Sequence, residues 1–496
     1  MLTPSSRIHA VIGSEFARLS QNLPDRGIEG SPAQAIAYAL RLLRERDSRG
    51  EDLLREQFNQ LSVLLASIKS IASKSAVDIE DELVELEVYQ NEVDEDARLP
   101  TLEALWRNSL SKTEDIVSKI KGSSAVHPSR KEDLLHLLVD FESADLLNQV
   151  GPDADAVDGF ENVRISRGKL SHYLRDRFND PTIEVTFLES LSGGFGKETT
   201  LFGSTGGSLN GEFVIRREIS DTAASHNDCH DLTREYELIK VLRKIGYLSP
   251  EVLWLDTEHR LLPGGHFIVM RRSKGRLGGS IFGATTDIPE TLTDVLARHA
   301  ARLHTLPVLS ELGELTESIN FERWEMSRRE NVERYLRDWY RYWRSETHSP
   351  SPALAALYGW LFDHLPERPG KPALIHGDLG FHNILLEGNE LSVILDWEYA
   401  HIGDPAEELA YVQLTTGAGI DWDKFMTCYL AAGGEPVDQK TLRFFQVWAH
   451  VRNASAANIV FAGFANGKAN DLKLNVLPYM HIPNFICAAQ ALIRQE

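Results

Sequence analysis

The sequence predicts an α+β protein in which an all-helical N-terminal domain precedes a small β-rich part and a larger, mainly helical part. Three observations support this order. Apolar residues recur every three or four positions up to about residue 150, which is the spacing of amphipathic helices. Apolar and polar residues then alternate in short segments between 181 and 272, as in half-buried strands. The helical spacing returns from about residue 290 onward.

The chain is too long for a single hydrophobic core. Such cores rarely grow beyond about 250–300 residues, so a length of 496 residues predicts two or three folding units. We expect four parts along the chain: a helical domain at 1–150, a linker with a leading helix at 151–180, a β-rich lobe at 181–272 and a helical lobe at 273–496.

The acidic balance of the chain excludes some classes of partner. Lys and Arg number 52 against 73 Asp and Glu, a net charge of −21, whereas nucleic-acid binding requires a basic surface. The same charge disfavours binding to an anionic membrane. No apolar stretch reaches the roughly 18 residues of a membrane span, and the N-terminus lacks the apolar core of a signal peptide. We therefore expect a cytoplasmic protein.

The cysteines do not indicate a disulfide framework, because Cys229, Cys428 and Cys487 are odd in number and far apart. Cys229 lies among His and Asp residues at 226–231, where a metal site is conceivable. We interpret this segment as a polar loop before a helix, since the sequence contains no second ligand cluster at zinc-finger spacing.

Two amphipathic helices are predicted in the N-terminal domain. The seam of the first consists of Leu54, Phe58, Leu61, Leu65 and Ile68. The second covers 78–96, which holds ten carboxylates and no Lys or Arg, so that nearly half of the net charge lies on one solvated face. Its apolar stripe consists of Ile79, Leu83, Leu86 and Val93. A further helix is predicted to begin with a capping box of Ser129 and Glu132.

The change from helix to strand follows the segment 151–155, which reads as a linker. One more helix is predicted near 170–178. Strands are then predicted at 183–187, 199–202, 212–216 and 267–270, with a helix carrying Glu235 before the last of them. A glycine-rich turn at 192–197 joins the first two strands, and its backbone N–H groups are suited to covering phosphates.

The residues that indicate chemistry lie between 374 and 398. An apolar run leads into a loop that holds the Asp378 carboxylate and, five residues later, the Asn383 carboxamide. A short apolar strand then ends at a second carboxylate, Asp396. Phosphoryl transfer from a nucleotide needs a carboxylate to orient the attacking hydroxyl and accept its proton. It also needs hard oxygen ligands for Mg²⁺.

This stretch resembles the aminoglycoside and choline kinase-like phosphotransferases, a family with the bilobal protein-kinase-like fold. Their signature is His-Gly-Asp, four variable residues, Asn, and an Asp about a dozen residues later. The resemblance implies that Asp378 is the catalytic base, that Asn383 and Asp396 bind Mg²⁺, and that His376 braces the catalytic loop. The continuation through Asp404 is similar to the branch found beside or fused to acyl-CoA dehydrogenases, where Asp404 would tie down that loop.

The resemblance also implies a nucleotide site in the β-rich lobe. Gly193, Gly194 and Gly196 would cover the phosphates of ATP. The strand position that holds a phosphate-binding lysine in kinases is occupied by Arg216, which keeps the charge and can bind phosphate bidentately.

The helix residue that pairs with Arg216 is expected to be Glu235, with Glu237 as the alternative. Met270 and Arg271 would lie at the hinge that reads adenine. The helix at 299–304 would lead into the substrate lobe, with histidines that are structural.

The expected function is thus an ATP- and Mg²⁺-dependent kinase for a hydroxyl group of a small molecule. A hydroxylated acyl or carboxylate compound, such as a hydroxyacyl-CoA, is the expected acceptor. One alternative is an aminoglycoside-type antibiotic phosphotransferase. Another is a catalytically weak kinase-like protein that binds nucleotide and docks a partner. The helical domain could form a homo-oligomer interface, cover the acceptor site, dock a pathway enzyme, or simply pack within its own bundle.

Overall fold

The structure is a computed structural model of the chain. It describes residues 32–93, 97–143, 165–191, 197–207, 209–218, 231–258, 265–279, 290–307, 322–347, 349–465 and 472–495. The chain divides into two compact units. The helical unit consists of Met1–Phe160, Trp339–Leu365 and Val447–Glu496, and the mixed unit of Glu161–Asp338 and Pro366–Gln446.

The helices and strands have the following bounds. The α-helices are α1 (Pro32–Lys74), α2 (Glu80–Asn91), α3 (Leu99–Gly122), α4 (Pro128–Ser143), α5 (Arg167–Phe178), α6 (Leu232–Lys244), α7 (Glu290–His304), α8 (Glu322–Glu325), α9 (Arg328–Glu346), α10 (Pro352–Asp363), α11 (Pro405–Thr416), α12 (Trp422–Ala431), α13 (Gln439–Ala465) and α14 (Leu472–Ile493). The strands are β1 (Glu184–Leu191), β2 (Lys197–Thr205), β3 (Gly211–Glu218), β4 (Val252–Asp256), β5 (Phe267–Arg271), β6 (Arg276–Leu277), β7 (Ala373–Ile375), β8 (Ile384–Glu387), β9 (Glu390–Ile394) and β10 (His401–Gly403). Short 3₁₀-helices occur at Phe381–Asn383, Trp397–Tyr399 and Gly417–Gly419.

The first predicted amphipathic helix is confirmed in the helical unit. The second is shorter than predicted, because α2 ends at Asn91 and Val93 lies beyond it. The five seam residues of α1 are all buried. In α2, Leu83 and Leu86 are buried, while its acidic side chains face outward or pair with α3. Glu85 binds Lys112 at 2.7 Å and Glu82 binds Lys119 at 2.6 Å. Part of the acidic charge is therefore neutralised locally.

The start of α4 differs from the predicted capping box. The helix begins at Pro128, so Ser129 lies inside the first turn, where a proline just before it is well tolerated. The Ser129 hydroxyl contacts Nδ1 of His127 at 2.8 Å, and the backbone carbonyl of His127 accepts from the N–H of Arg130. The helix therefore starts one residue earlier than Ser129.

The N-terminal helices pack with chain from the predicted C-terminal lobe. Ser351 caps α10, and its backbone N–H donates to Glu114 of α3 at 2.5 Å. Glu142 of α4 accepts from the Ala353 N–H at 2.6 Å. Gly359 allows close approach, because a Cβ there would lie 2.7 Å from Cε of Lys121. Residues 339–365 are thus integrated into the core of the helical unit.

The mixed unit is built on a five-stranded antiparallel sheet with the order β1-β2-β3-β5-β4. The helix α5 and the strands β1, β2, β3 and β5 lie where the sequence predicted them. The strand β4 was not predicted, because Val-Leu-Trp-Leu-Asp shows little polar alternation. Smaller sheets follow, with the orders β10-β7 and β6-β8-β9.

The register of the large sheet fixes the first part of the candidate site. Arg216 of β3 pairs with Thr199 of β2 on one side and with Ile268 of β5 on the other. Lys197, at the start of β2, pairs with Glu218. The two basic side chains therefore belong to adjacent strands near the same end of the sheet.

The linker predicted at 151–155 and the segment around Cys229 lie outside the described residues. No helix in the described parts of the chain combines the length and apolar character needed to cross a membrane.

Candidate active site

The loop that carries the predicted catalytic residues follows β7 directly. This strand pairs antiparallel with β10, so that Ile375 lies opposite His401. Gly377 turns the chain with a φ of +78°, and a Cβ at this position would lie 2.5 Å from the carbonyl oxygen of Tyr399. Only glycine fits such a close approach in this conformation. The loop is consequently held in a single path past Tyr399.

Asp378 and Asn383 lie side by side at the centre of the loop. The Nδ2 atom of Asn383 donates to Oδ2 of Asp378 at 2.7 Å and to its backbone carbonyl at 2.9 Å. The other carboxylate oxygen of Asp378 lies 3.4 Å from Nε2 of His382. Both oxygens of the proposed base are therefore oriented by side chains of the same loop.

The His376 side chain is buried below this loop. Its Nε2 atom contacts the carbonyl oxygen of Leu395 at 2.8 Å, so Nε2 carries the hydrogen and Nδ1 accepts from the N–H of Asp378 at 3.3 Å. Burial lowers the pKa of His376. The neutral imidazole thus joins the loop to the end of β9, as expected for a residue that braces the loop.

Asp396 follows β9 and lies close to the loop. The N–H of Leu395 donates to the carbonyl of Asn383 at 2.7 Å, which brings the two predicted metal ligands to the same place. Asp396 adopts a left-handed backbone with a φ of +63°, a conformation that is uncommon for a residue with a side chain. Its backbone is held by the ends of β9 and the following 3₁₀-helix.

Burial also affects the charge of Asp396. Desolvation raises the pKa of its carboxyl to about 7; Glu398 and Glu235 add to the rise, and Arg216 opposes it. The side chain nevertheless remains 29% exposed, so a cation can reach it from solvent.

A cluster of two cations and two carboxylates lies next to Asp396, and we term it the charge cluster: Lys197, Arg216, Glu235 and Glu398. Arg216 contacts Asp396 directly, Glu398 at 3.1 Å and Glu235 at 3.6 Å. Lys197 contacts Glu235 and Glu398, each at 3.1 Å. The helix carboxylate in this cluster is Glu235, which is buried.

The alternative helix carboxylate faces away from the charge cluster. Glu237 is 36% exposed and pairs with Lys240 on the same helix at 3.5 Å. The structure therefore gives Glu235 the two cationic neighbours that an ion-pair partner requires.

The structure describes only some of the remaining residues predicted to bind the nucleotide. Gly193, Gly194 and Gly196 lie outside the described residues. Met270 is half-buried in β5 and pairs with Val214 and Val252. Its place at the end of a central strand is compatible with a hinge, and its contact with adenine stays a prediction.

The carboxylate that binds the catalytic loop differs from the expected one. Asp404 caps α11 by accepting from the N–H of Ala406 at 2.9 Å, and it also pairs with Arg368. The loop backbone is bound instead by Glu408, which accepts from the N–H of His376 at 2.7 Å. The expectation for Asp404 was wrong. Asp404 and Glu408 lie in the same short acidic segment, and the sequence alone does not show which of them reaches the loop.

The histidines of α7 take structural positions. Nδ1 of His304 contacts the Tyr429 hydroxyl at 2.8 Å, and Nε2 lies 3.4 Å from Glu408. The backbone carbonyl of His299 accepts from the Tyr247 hydroxyl at 3.1 Å. Burial lowers the pKa of His299 to about 4. His304 therefore contacts Glu408, the residue that binds the backbone of the catalytic loop.

The donor set suits a magnesium ion that arrives with a nucleotide. The nitrogen of the Asn383 amide is engaged by Asp378, which leaves its oxygen available for a cation. Within the described residues, no group of three or more His, Cys, Asp or Glu side chains is arranged to hold a metal by itself. Mg²⁺ commonly takes one or two protein ligands and completes its shell with phosphates and water. Asn383 and Asp396 fit this pattern.

A sequence profile described as the phosphotransferase enzyme family, APH, matches residues 188–445. The chain belongs to this family. The matched range covers more than half of the 496 residues and contains the charge cluster and the catalytic loop. The predicted family and the kinase-like α+β fold of this chain are therefore confirmed.

Its curated relatives include much longer proteins. The chain is 27% identical over 251 residues to human acyl-CoA dehydrogenase family member 11, covering 48% of this chain and 31% of that protein. It is 26% identical over 204 residues to mouse acyl-CoA dehydrogenase family member 10, covering 40% and 18% of the two chains. The chain spans about a third or less of the length of these relatives.

Solved structures with detectable similarity include two antibiotic phosphotransferases. Macrolide 2′-phosphotransferase MphH from Brachybacterium faecium gives a TM-score of 0.43 at 18% identity, covering 62% of this chain and 96% of that one. Spectinomycin phosphotransferase APH(9)-Ia, solved with ADP and spectinomycin, gives 0.42 at 13% identity, covering 66% and 99%. Family membership rests on the sequence profile.

Two side chains of the charge cluster were missed by sequence reasoning. Lys197 was interpreted only as the end of a glycine-rich turn, and Glu398 only as part of a motif. A signal for Glu398 was present, because it follows Asp396 by two residues at the end of a strand. No comparable signal identified Lys197, whose role depends on the pairing of β2 with β3.

Proposed function

We propose that this phosphotransferase is an ATP- and Mg²⁺-dependent kinase that phosphorylates a hydroxyl group of a small molecule. The observation that carries the proposal is the arrangement of Asp378, Asn383 and Asp396. Asp378 and Asn383 are joined by a 2.7 Å hydrogen bond, and Asn383 is joined to the residue before Asp396 through its backbone. This arrangement supplies a proton acceptor next to two oxygen ligands for a cation.

In the proposed reaction, Asp378 hydrogen-bonds to the acceptor hydroxyl and takes its proton as the new bond to phosphorus forms. Asn383 and His382 hold the carboxylate in one orientation, so that the reactive oxygen is aimed at the acceptor before the nucleotide reacts. When bound, Mg²⁺ neutralises charge on the phosphates, and Asn383 and Asp396 would hold it. The ADP leaving group takes the bonding electron pair.

The cationic side chains beside Asp396 would also support the transferred group. Arg216 lies beside Asp396, and its guanidinium keeps its charge at all physiological pH values. The presence of arginine rather than lysine therefore does not remove the cation or its glutamate partner. This favours a working kinase over a kinase-like protein that only binds a partner.

The acceptor is proposed to be a hydroxylated acyl or carboxylate compound rather than an aminoglycoside. The named relatives in the acyl-CoA dehydrogenase family support this class, because a kinase domain in such a protein would act on related acyl compounds. The acidity of the whole chain does not favour a cationic antibiotic, since ten of its carboxylates lie within residues 78–96.

The proposal is tested with purified protein, ATP, Mg²⁺ and a panel of alcohols that includes 3-hydroxyacyl-CoA thioesters and aminoglycosides. We expect ADP release that depends on a hydroxyacyl compound, and loss of that release in Asp378→Asn. Thermal unfolding with ATP and Mg²⁺ provides the control that the variant still binds nucleotide. Turnover that survives Asp378→Asn would remove the assigned role of Asp378. ATP binding without turnover on any acceptor would favour the partner-docking alternative.

A further inference from the structure

Lys197 is a buried cation that lies in the charge cluster. It begins β2, directly after the glycine-rich segment in the sequence, and its side chain is only 4% exposed. Its Nζ atom lies 3.1 Å from Glu235 and 3.1 Å from Glu398. The first of these contacts joins a strand cation to the carboxylate of α6.

The charge cluster contains one more cation than a single ion pair requires. Arg216 contacts the same two carboxylates as Lys197 and, in addition, Asp396. Two positive and two negative side chains balance each other, and Asp396 lies at the edge of this balanced group. The charge of the additional lysine is therefore balanced by an additional carboxylate, Glu398, which follows the proposed metal ligand Asp396 by two residues.

A buried lysine is costly unless its environment keeps it charged. Burial alone would lower the pKa of Lys197, but Glu235 and Glu398 raise it above the ordinary value. The ammonium group has three hydrogen-bond donors, and the two glutamates account for two of them. That leaves one donor for a further acceptor, such as a nucleotide phosphate.

The contacts of Arg216 differ from those of Lys197. One of its terminal nitrogens, Nη2, contacts both Asp396 and Glu398, so the guanidinium is oriented toward the carboxylate that would hold the metal. A guanidinium in this position orders Asp396 and Glu398 relative to each other. The compact ammonium of Lys197 is the better placed of the two cations to donate a hydrogen bond to a phosphate oxygen without leaving its glutamate partners.

We propose that Lys197 is a phosphate-binding residue of the nucleotide site and that it shares with Arg216 the role that one strand lysine has in kinases. This inference rests on the proposed function. It assigns the direct ammonium contact with the nucleotide phosphates to β2, and it makes Glu398, together with Glu235, a carboxylate that holds both cations in place.

A purely structural ion pair is the competing explanation for Lys197. Such a pair would stabilise the junction of β2 with α6 and would affect every ligand of the site equally. A phosphate ligand would affect only ligands that carry phosphates. Comparing ATP with adenosine therefore distinguishes the two roles, because both contain the same base and sugar.

The first experiment measures the affinities of ATP and adenosine for wild type and Lys197→Met by competition with a fluorescent nucleotide. We expect ATP to bind about 10- to 100-fold more weakly to the variant, the range for loss of one charge-assisted hydrogen bond, with adenosine unchanged. The control is Lys240→Met, which removes a 58% exposed lysine from α6 and should leave both affinities unchanged. The inference would be overturned if wild type and Lys197→Met bound ATP with equal affinity. It would also be overturned if the variant lost affinity for ATP and adenosine by the same factor.

A second experiment uses only the wild-type protein, because Lys197→Met removes a buried charge and could impair folding. An ATP analogue with an acyl group on its terminal phosphate transfers that group to an amine in contact with the phosphates. We expect Lys197 to be acylated and ATP to prevent the reaction. ATP-protected acylation of other lysines only, or no acylation of any lysine by a bound analogue, would overturn the inference. Wild type that binds neither ATP nor the analogue would instead refute the proposed function.

Discussion

The backbone N–H of His376 donates a 2.7 Å hydrogen bond to the carboxylate of Glu408, a residue 32 positions further along the chain. Glu408 has no solvent exposure, and its other oxygen also lies within 3.1 Å of the same N–H. Because α11 is packed into the core of the mixed unit, this contact ties the start of the catalytic loop to a rigid element. His304 approaches Glu408 from the other side at 3.4 Å.

The first prediction concerns Glu408. Glu408→Ala leaves the buried N–H of His376 without its acceptor, which costs about 1–3 kcal/mol for such a group. We expect lower stability in urea and a lower kcat, because the loop that carries Asp378 loses its anchor. Glu408→Gln keeps an acceptor oxygen of similar size and should retain more of both properties. Equal behaviour of Ala and Gln variants would contradict the anchoring role.

The second prediction concerns His382, whose Nε2 lies 3.4 Å from the Asp378 carboxylate. His382→Phe keeps an aromatic ring but removes the donor, so Asp378 loses an orienting contact. We expect kcat to fall about tenfold, as for one hydrogen bond to a charged group, while the KM for ATP stays unchanged. His382→Gln can donate from a similar position and should recover part of kcat. A change confined to KM would show that His382 serves binding instead.

The third prediction concerns the geometry of Arg216, which spans Glu235, Glu398 and Asp396. Arg216 contacts Glu235 through Nε and the other two carboxylates through Nη2, whereas lysine offers a single nitrogen. Arg216→Lys should therefore reduce kcat/KM for ATP about 10- to 100-fold although the charge is kept. Arg337→Lys, at a 51% exposed site on α9, serves as the control and should be neutral. Full activity of Arg216→Lys would show that charge alone is required.

The parts of this site that could be predicted from the sequence are those encoded in one continuous segment. Asp378, Asn383 and Asp396 share a short stretch of chain, and their spacing alone brings them together. The helix spacing predicted the buried residues of α1 and α2 for the same reason. Such patterns report local geometry, which is set by neighbouring residues.

The contacts that could not be predicted join distant segments. The pairing of Lys197 with Glu398 depends on the sheet register and on how the catalytic loop lies against it, neither of which is visible in local spacing. Choosing between Asp404 and Glu408 likewise required the packing of α11. The assignment of residues 339–365 to the helical unit depends on contacts with α3 and α4 that no periodicity indicates.

The fourth prediction concerns acid stability. Burial lowers the pKa of His299 to about 4, below its ordinary value of 6.5. The unfolded chain therefore binds a proton at this position before the folded protein does, so stability falls as the pH drops from 6.5 toward 4. The loss has an upper limit of about 3 kcal/mol, and the partial exposure of the ring reduces it.

His299→Phe keeps the ring that packs edge-on against Tyr247 and removes the titrating nitrogen. We expect urea unfolding of this variant to depend less on pH between 6.5 and 4 than that of the wild type, with the two curves parallel above pH 7. Identical pH dependence over the whole range would show that the His299 ring is protonated equally in both states.

The central claim is that Asp378 promotes transfer of a phosphoryl group from ATP to a small-molecule hydroxyl. The most direct measurement incubates the wild type and Asp378→Asn with Mg²⁺, ATP labelled in its terminal phosphate, and a cellular metabolite pool. We expect a labelled phosphate ester with the wild type and none with the variant. Formation of the same ester by both proteins, or release of label only as inorganic phosphate by the wild type, would contradict it.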